Sequence, residues 1–220
     1  MVTTSIIGKC QSNNVRLYQL TDAKMVTIQP SLSATQIRSV IRQTNAATLK
    51  GLLTKCKPGR SDWKFFEDIC EELFCILFVP PLDYPIVQPR SAFNIIRRDL
   101  IFPNRSTSGF WDREIRSGYE GDYVLLECKN FKDPIGKEEF DQALEYLGES
   151  SVGKFGIIVT RKNVGEKIRQ LQVMRWKDSK KMLIVLSDQH LHRMLDLFSN
   201  GQDPTQTIQK AIDLVRTSVV

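Results

Sequence analysis

Along this chain of 220 residues the spacing of apolar positions switches between two periods, and the switches predict strands and helices. Two apolar segments, Val15–Leu20 and Met25–Gln29, flank a polar Thr21-Asp22-Ala23-Lys24 and predict a hairpin. A helical stretch follows from about Ser33 to Leu53, and Lys57-Pro58-Gly59-Arg60 breaks the pattern. Residues 1–57 therefore read as an N-terminal appendage of hairpin plus helix, and residues 58–220 as the main domain. Ser61 can cap a second helix whose apolar stripe runs through Trp63, Phe66, Ile69, Cys70, Leu73, Ile76 and Leu77. Glu67 falls on the border of that stripe, with Asp68 and Glu72 opposite it, so Glu67 can look toward a sheet. Glu71, one turn later, competes for that position. Pro80, Pro81, Pro85 and Pro89 then predict an extended connector, because proline lacks the N–H that a helix or a central strand needs.

From Ala92 to Phe102 the chain alternates as a strand, with Ile95, Arg97, Asp99 and Ile101 on one face. Asp99 is carried by an otherwise apolar segment, where an unpaired charge is costly, although it could also pair with Arg97 or Arg98. A second strand, Tyr123–Asn130, ends in Glu127-Cys128-Lys129. Residues i and i+2 of a strand share a face, so Glu127 and Lys129 stand side by side. The spacing alone means little, since Glu-x-Lys arises about once by chance in a chain this long. The polar, glycine-containing span between the two strands allows a long hairpin in which Asp99 and Glu127 meet. A helix to about Gly148, a buried strand at 156–160, a helix at 164–177 and a strand at 182–186 predict parallel pairing through right-handed crossovers. Helices near Gln189–Phe198 and Pro204–Arg216 complete an α/β arrangement of order α-β-β-α-β-α-β.

Composition narrows the chemistry. Lys and Arg number 31 against 25 Asp and Glu, a net charge of +6. Arg90, Arg97, Arg98, Arg105, Arg113 and Arg116 crowd one stretch, which favours a polyanionic partner. Interleaved with Phe110, Trp111 and Tyr119, these arginines offer phosphate contacts and stacking; a solvated hairpin is the competing reading. The five cysteines are odd in number and form no Cys-x-x-Cys pair, the usage of reduced thiols in a cytoplasmic protein. His190 and His192 alone cannot supply a zinc cage or a His-based triad beyond one partner, and they read as helix-surface residues. No apolar run reaches the roughly 20 residues of a membrane span, so no membrane partner is expected. Carboxylates and lysines must carry any chemistry.

The order of Glu67 on a helix, Asp99 in a strand, Glu127-x-Lys129 in the next strand and Gln142-x-x-x-Tyr146 on a following helix resembles the PD-(D/E)XK nuclease superfamily, with its restriction-endonuclease-like three-layer core. Trp63-Lys64-Phe65-Phe66-Glu67-Asp68-Ile69 resembles the opening helix of Mrr-like members, and Gln142-x-x-x-Tyr146 the helix motif of the RecB-like branch; the resemblance covers roughly residues 61–188. Arg98 replaces the proline that gives the family half its name. The resemblance implies that Asp99 and Glu127 bind Mg²⁺, with Mn²⁺ able to substitute. Lys129 would position or activate the attacking water, Glu67 would assist, and Gln142 and Tyr146 would be auxiliary.

Elementary chemistry fits those roles. Phosphodiester hydrolysis needs a hydroxide near neutral pH and a neutraliser for the scissile phosphate, and a cation held by carboxylates supplies both. Mg²⁺ prefers one or two carboxylates plus waters. Lys129 can stabilise the developing charge or, with a lowered pKa, help deprotonate water. Helical spacing also lets Gln142 point to solvent and Tyr146 pack at the edge of the Phe140, Leu144, Leu147 stripe. The expected function is a DNA endonuclease of restriction, defence or repair type, with nucleic-acid contacts from Arg97, Arg98, Arg105, Arg113 and Arg116, either self-associating or fused to a sensor or recognition domain. The alternatives are a non-catalytic nucleic-acid-binding or assembly domain of the same fold, and a nuclease acting on RNA or branched DNA.

Overall fold

The computed structural model describes residues 6–11, 14–21, 24–27, 33–87, 99–148 and 152–218, which form two compact units, Met1–Ile41 and Arg42–Val220. In the first, strands β1 (Ile6–Gln11), β2 (Asn14–Thr21) and β3 (Lys24–Thr27) make an antiparallel sheet in sequential order. The hairpin expected from the sequence is β2 with β3, paired Tyr18 to Thr27 and Thr21 to Lys24; β1 is an added strand that the pattern did not announce. Helix α1 (Ala34–Lys55) begins in the first unit and ends in the second.

The second unit is built on a mixed sheet of order β4 (Ile86–Val87), β5 (Leu100–Pro103), β6 (Tyr123–Lys129), β7 (Phe155–Thr160) and β8 (Met182–Ser187). β4, β5 and β6 run antiparallel, whereas β6, β7 and β8 are parallel. Every residue of β7 and β8 is buried, the pattern of strands covered on both faces. Helices α4 (Lys137–Glu145) and α5 (Glu166–Ser179) make the two crossovers.

Strand alternation divides the core in two. On one face Leu100, Phe102, Val124, Leu126, Ile157 and Val159 meet the end of α1, α2 (Trp63–Phe78), α6 (Asp188–Ser199) and α7 (Thr205–Thr217). On the other, Ile101, Leu125, Ile158, Leu183 and Val185 meet α4 and the first half of α5. Gly153, in the turn before β7, has φ +82°, and a Cβ there would lie 2.1 Å from the Glu120 carbonyl oxygen. Only glycine lets the two backbones approach so closely.

Several expectations need correction. Strand β5 starts at Leu100, and Asp99 sits in a bend at its mouth; residues 92–98, including Arg97 and Arg98, lie outside the described residues. Ser61 is not the cap of α2: a 3₁₀ turn, Arg60–Asp62, precedes the helix, and the Asp62 carboxylate accepts the Lys57 N–H at 2.8 Å. Trp63, expected in the apolar stripe, is 49% exposed at the first position of α2. α2 does end at Phe78, before Pro80 and Pro81. Within the proline connector, Ile86 and Val87 form β4, whose two exposed residues are too few for an alternation signal.

Candidate active site

The antiparallel register pairs Leu100 with Leu126, which sets Asp99 beside Glu127 at the mouth of the β5–β6 pair. Both side chains belong to the face of the sheet that carries Ile101 and Leu125. The two acids are clamped reciprocally. Glu127 Oε1 accepts the Asp99 backbone N–H at 3.2 Å, and Asp99 Oδ2 accepts the Cys128 N–H at 2.8 Å. Lys129 Nζ donates to Glu127 Oε2 at 3.2 Å.

Glu127 is only 2% exposed. Burial, reinforced by the negative charge of Asp99 and opposed by Lys129 and the hydrogen bonds, pushes its carboxyl up to about 7. Burial acts to lower the Lys129 pKa, but Glu127, Asp99 and the Tyr146 phenol together raise it above the ordinary lysine value. Lys129 thus keeps its proton at neutral pH.

The other expected residues distribute unevenly. Tyr146 is buried in the α4-side core and close enough to Lys129 to act on its charge. Gln142 is exposed on α4. Glu67 is buried while Glu71 is half-buried, so the inward-looking acid of α2 is Glu67; Lys64 Nζ donates to its Oε1 at 2.9 Å. It belongs to the α2 layer, on the opposite face of the sheet from Glu127 and Lys129.

Arg105, Arg113 and Arg116 are not beside the acids. They lie in the connection from Pro103 to Tyr123, at the other end of the hairpin, about 14 Å along the strand from Asp99. That connection is a π-helix, Trp111–Arg116, continuing into α3 (Ser117–Tyr119), not an open loop. Trp111 and Tyr119 are core residues, so their rings are unavailable for stacking bases, and the half-buried Phe110 packs edge-on against Trp111. Arg105 pairs with Asp83 at 3.5 Å and Arg116 with Asp122 at 2.9 Å.

Two residues at this end of the sheet escaped the sequence reading. Thr160 pairs in register with Lys129, is fully buried, and its Oγ1 has no hydrogen-bond partner among the described residues. Its only sequence signal is a hydroxyl closing an apolar strand, Phe155–Thr160. Next to it, Arg161 donates to the carbonyls of Cys56 (2.9 Å) and Leu53 (3.1 Å), to Asn130 Oδ1 (3.3 Å) and to Asp188 Oδ2 (2.9 Å), and lies over the Phe66 ring at 5.0 Å. His190, expected on the surface, instead accepts the Ser187 N–H on Nδ1 at 3.0 Å as part of the α6 cap.

Among the described residues no three His, Cys, Asp or Glu side chains converge as a complete cage. Two clamped carboxylates with excess negative charge fit a hard divalent cation that keeps waters, such as Mg²⁺, better than zinc, which takes four protein ligands in structural sites.

No protein-family model matches the sequence, and no curated protein matches it. Among solved structures, the restriction endonuclease FokI bound to DNA is similar at a TM-score of 0.51 and 12% identity, over 95% of this chain and 39% of that one. The fold is an α/β restriction-endonuclease-like core. The chain spans about two fifths of the length of the FokI chain it matches. Among the described residues no helix is long and apolar enough to cross a membrane.

Proposed function

We propose that the chain is a metal-dependent nuclease that hydrolyses phosphodiester bonds of DNA, acting as an endonuclease. The observation that carries this reading is the set Asp99, Glu127 and Lys129, gathered on one face at the mouth of β5 and β6 by register and by reciprocal hydrogen bonds. Asp99 and Glu127 would hold Mg²⁺ or Mn²⁺. When bound, the cation supplies an acidified water and neutralises the scissile phosphate. Asp99 and Glu127 are kept oriented by N–H groups from each other's strands, so little reorganisation is needed to receive a cation. Lys129, protonated at neutral pH, serves as a positive charge and donor toward a phosphate oxygen rather than as a base. Glu67, in the opposite layer, enters only as an auxiliary acid, and Tyr146 as a buried neighbour of Lys129, which Glu127 and Asp99 hold cationic.

The test is cleavage of linear and supercoiled DNA, single strands and RNA in Mg²⁺, Mn²⁺ or EDTA, comparing the native chain with Asp99→Ala and Lys129→Ala. Metal-dependent cutting of DNA, abolished by both substitutions, is the expected result. Cutting that survives both would remove these residues from the mechanism. Binding without cutting in every metal condition would make the chain a non-catalytic nucleic-acid-binding domain.

A further inference from the structure

A second site is built at the free edge of the sheet. Beyond β8, between α5 and α7, lies a cavity of about 330 Å³. Four cationic side chains from four segments line it: Lys162 after β7, Arg169 on α5, Arg193 on α6 and Lys210 on α7. No Asp or Glu lines it. None of the four cations is in an ion pair with a described carboxylate. Asp188, at the start of α6, is held by Arg161 at 2.9 Å. Asp188 acts on Lys162 only at longer range, and four positive charges around one concavity with no carboxylate in its lining raise the local concentration of anions.

The polar lining adds direction to that charge. Thr207 on α7 is 2% exposed and lines the cavity, yet its Oγ1 has no hydrogen-bond partner among the described residues. A buried hydroxyl without a partner is costly, and an acceptor oxygen from a ligand would satisfy it. His190 spends Nδ1 on the Ser187 N–H, so its neutral ring carries a proton on Nε2 as a further donor. Val164, Val185, Ala211 and Leu214 supply an apolar wall. A lining that combines donors and cations with apolar side chains suits an anion that carries an uncharged body.

We infer that this cavity binds a phosphate ester of mononucleotide size, either a free nucleotide or one residue of a nucleic acid strand, with Arg193, Lys210 and the Thr207 hydroxyl on the phosphate oxygens. The site is separate from Asp99 and Glu127: β7 and β8 stand between, so Ser187 is about 10 Å from Lys129 across the strand ends. It does not depend on whether the chain cuts DNA.

The experiment is calorimetric and NMR titration of the full chain in EDTA with inorganic phosphate, adenosine monophosphate and a short DNA duplex. The variants are Arg193→Gln/Lys210→Gln at exposed positions, Thr207→Val, which keeps the volume and removes the hydroxyl, and Thr207→Ser, which restores it. Saturable binding of the monophosphate is expected, weakened about tenfold or more by the double substitution and several-fold by Thr207→Val, with recovery in Thr207→Ser. Displacement of the monophosphate by duplex identifies a nucleic acid as the source of the phosphate; simultaneous binding identifies a free nucleotide. No saturable binding of either phosphate or monophosphate, or equal affinity in all variants, overturns the inference.

Discussion

Replacing Glu127 with Gln should change how stability depends on pH. The folded-state carboxyl is raised from the ordinary 4.5 to about 7, first by burial and then by the charge of Asp99. Below pH 4.5 the group is neutral in folded and unfolded chains and contributes nothing. As pH rises through 4.5 the unfolded chain ionises first, so stability falls, and it continues to fall until the folded carboxyl also ionises near 7. At about 1.4 kcal/mol per pKa unit, the loss across this window is on the order of 3 kcal/mol. Gln cannot titrate. Urea unfolding of both chains in EDTA, from pH 4 to pH 8, should show the native chain losing about 3 kcal/mol relative to the variant over that range. The attraction of Lys129 grows as Glu127 ionises and is already contained in the folded value, so it adds no separate pH-dependent contribution, while Lys129 itself stays protonated throughout this window. Adding Mg²⁺ at pH 8 should recover stability in the native chain and not in the variant. Parallel profiles in EDTA would refute the account of Glu127 as a buried carboxylate destabilised by its neighbour.

Other substitutions probe the frame around the acids. Arg161→Gln strands two carbonyls, Asn130 and Asp188, and should cost about 3–5 kcal/mol in chemical denaturation, the range for a broken buried ion pair; a loss under 1 kcal/mol would show that the network is ornamental. Gly153→Ala meets both a positive φ and the Glu120 carbonyl, and should lower stability by at least 1–3 kcal/mol. Thr160→Val removes an orphan hydroxyl at nearly constant volume, so thermal unfolding should be unchanged or shifted upward by up to about 1 kcal/mol. A marked loss of stability there would reveal a hidden partner for Oγ1.

What the sequence disclosed follows from the range of each signal. Strands buried on both faces, such as Phe155–Thr160 and Met182–Ser187, are short apolar runs bounded by polar residues, and their positions were legible to within a residue. The pairing of Asp99 with Glu127 was also legible, because an antiparallel hairpin converts sequence order into adjacency. The later part of the basic and aromatic stretch misled, since composition cannot say which way rings point: Trp111 and Tyr119 turned inward, and Arg105, Arg113 and Arg116 lie at the far end of the hairpin. Arg161 had no local signature at all. Its partners come from Leu53, Cys56, Asn130 and Asp188, segments that only the finished fold brings together. The cavity cations Lys162, Arg169, Arg193 and Lys210 were invisible for the same reason, each being an ordinary surface charge on its own segment.

The reciprocal clamp between Asp99 and Glu127 makes the pair an indicator of strand alignment. Side chains alternate between faces, so slipping β5 against β6 by one residue would separate the two acids and carry one of them into the α2 layer. Intermediate geometries are excluded by the ladder itself. A population of molecules with a weakened hairpin should therefore contain fully competent and wholly incompetent sites, and its measured activity should fall by loss of active fraction, with the turnover of each surviving site unchanged.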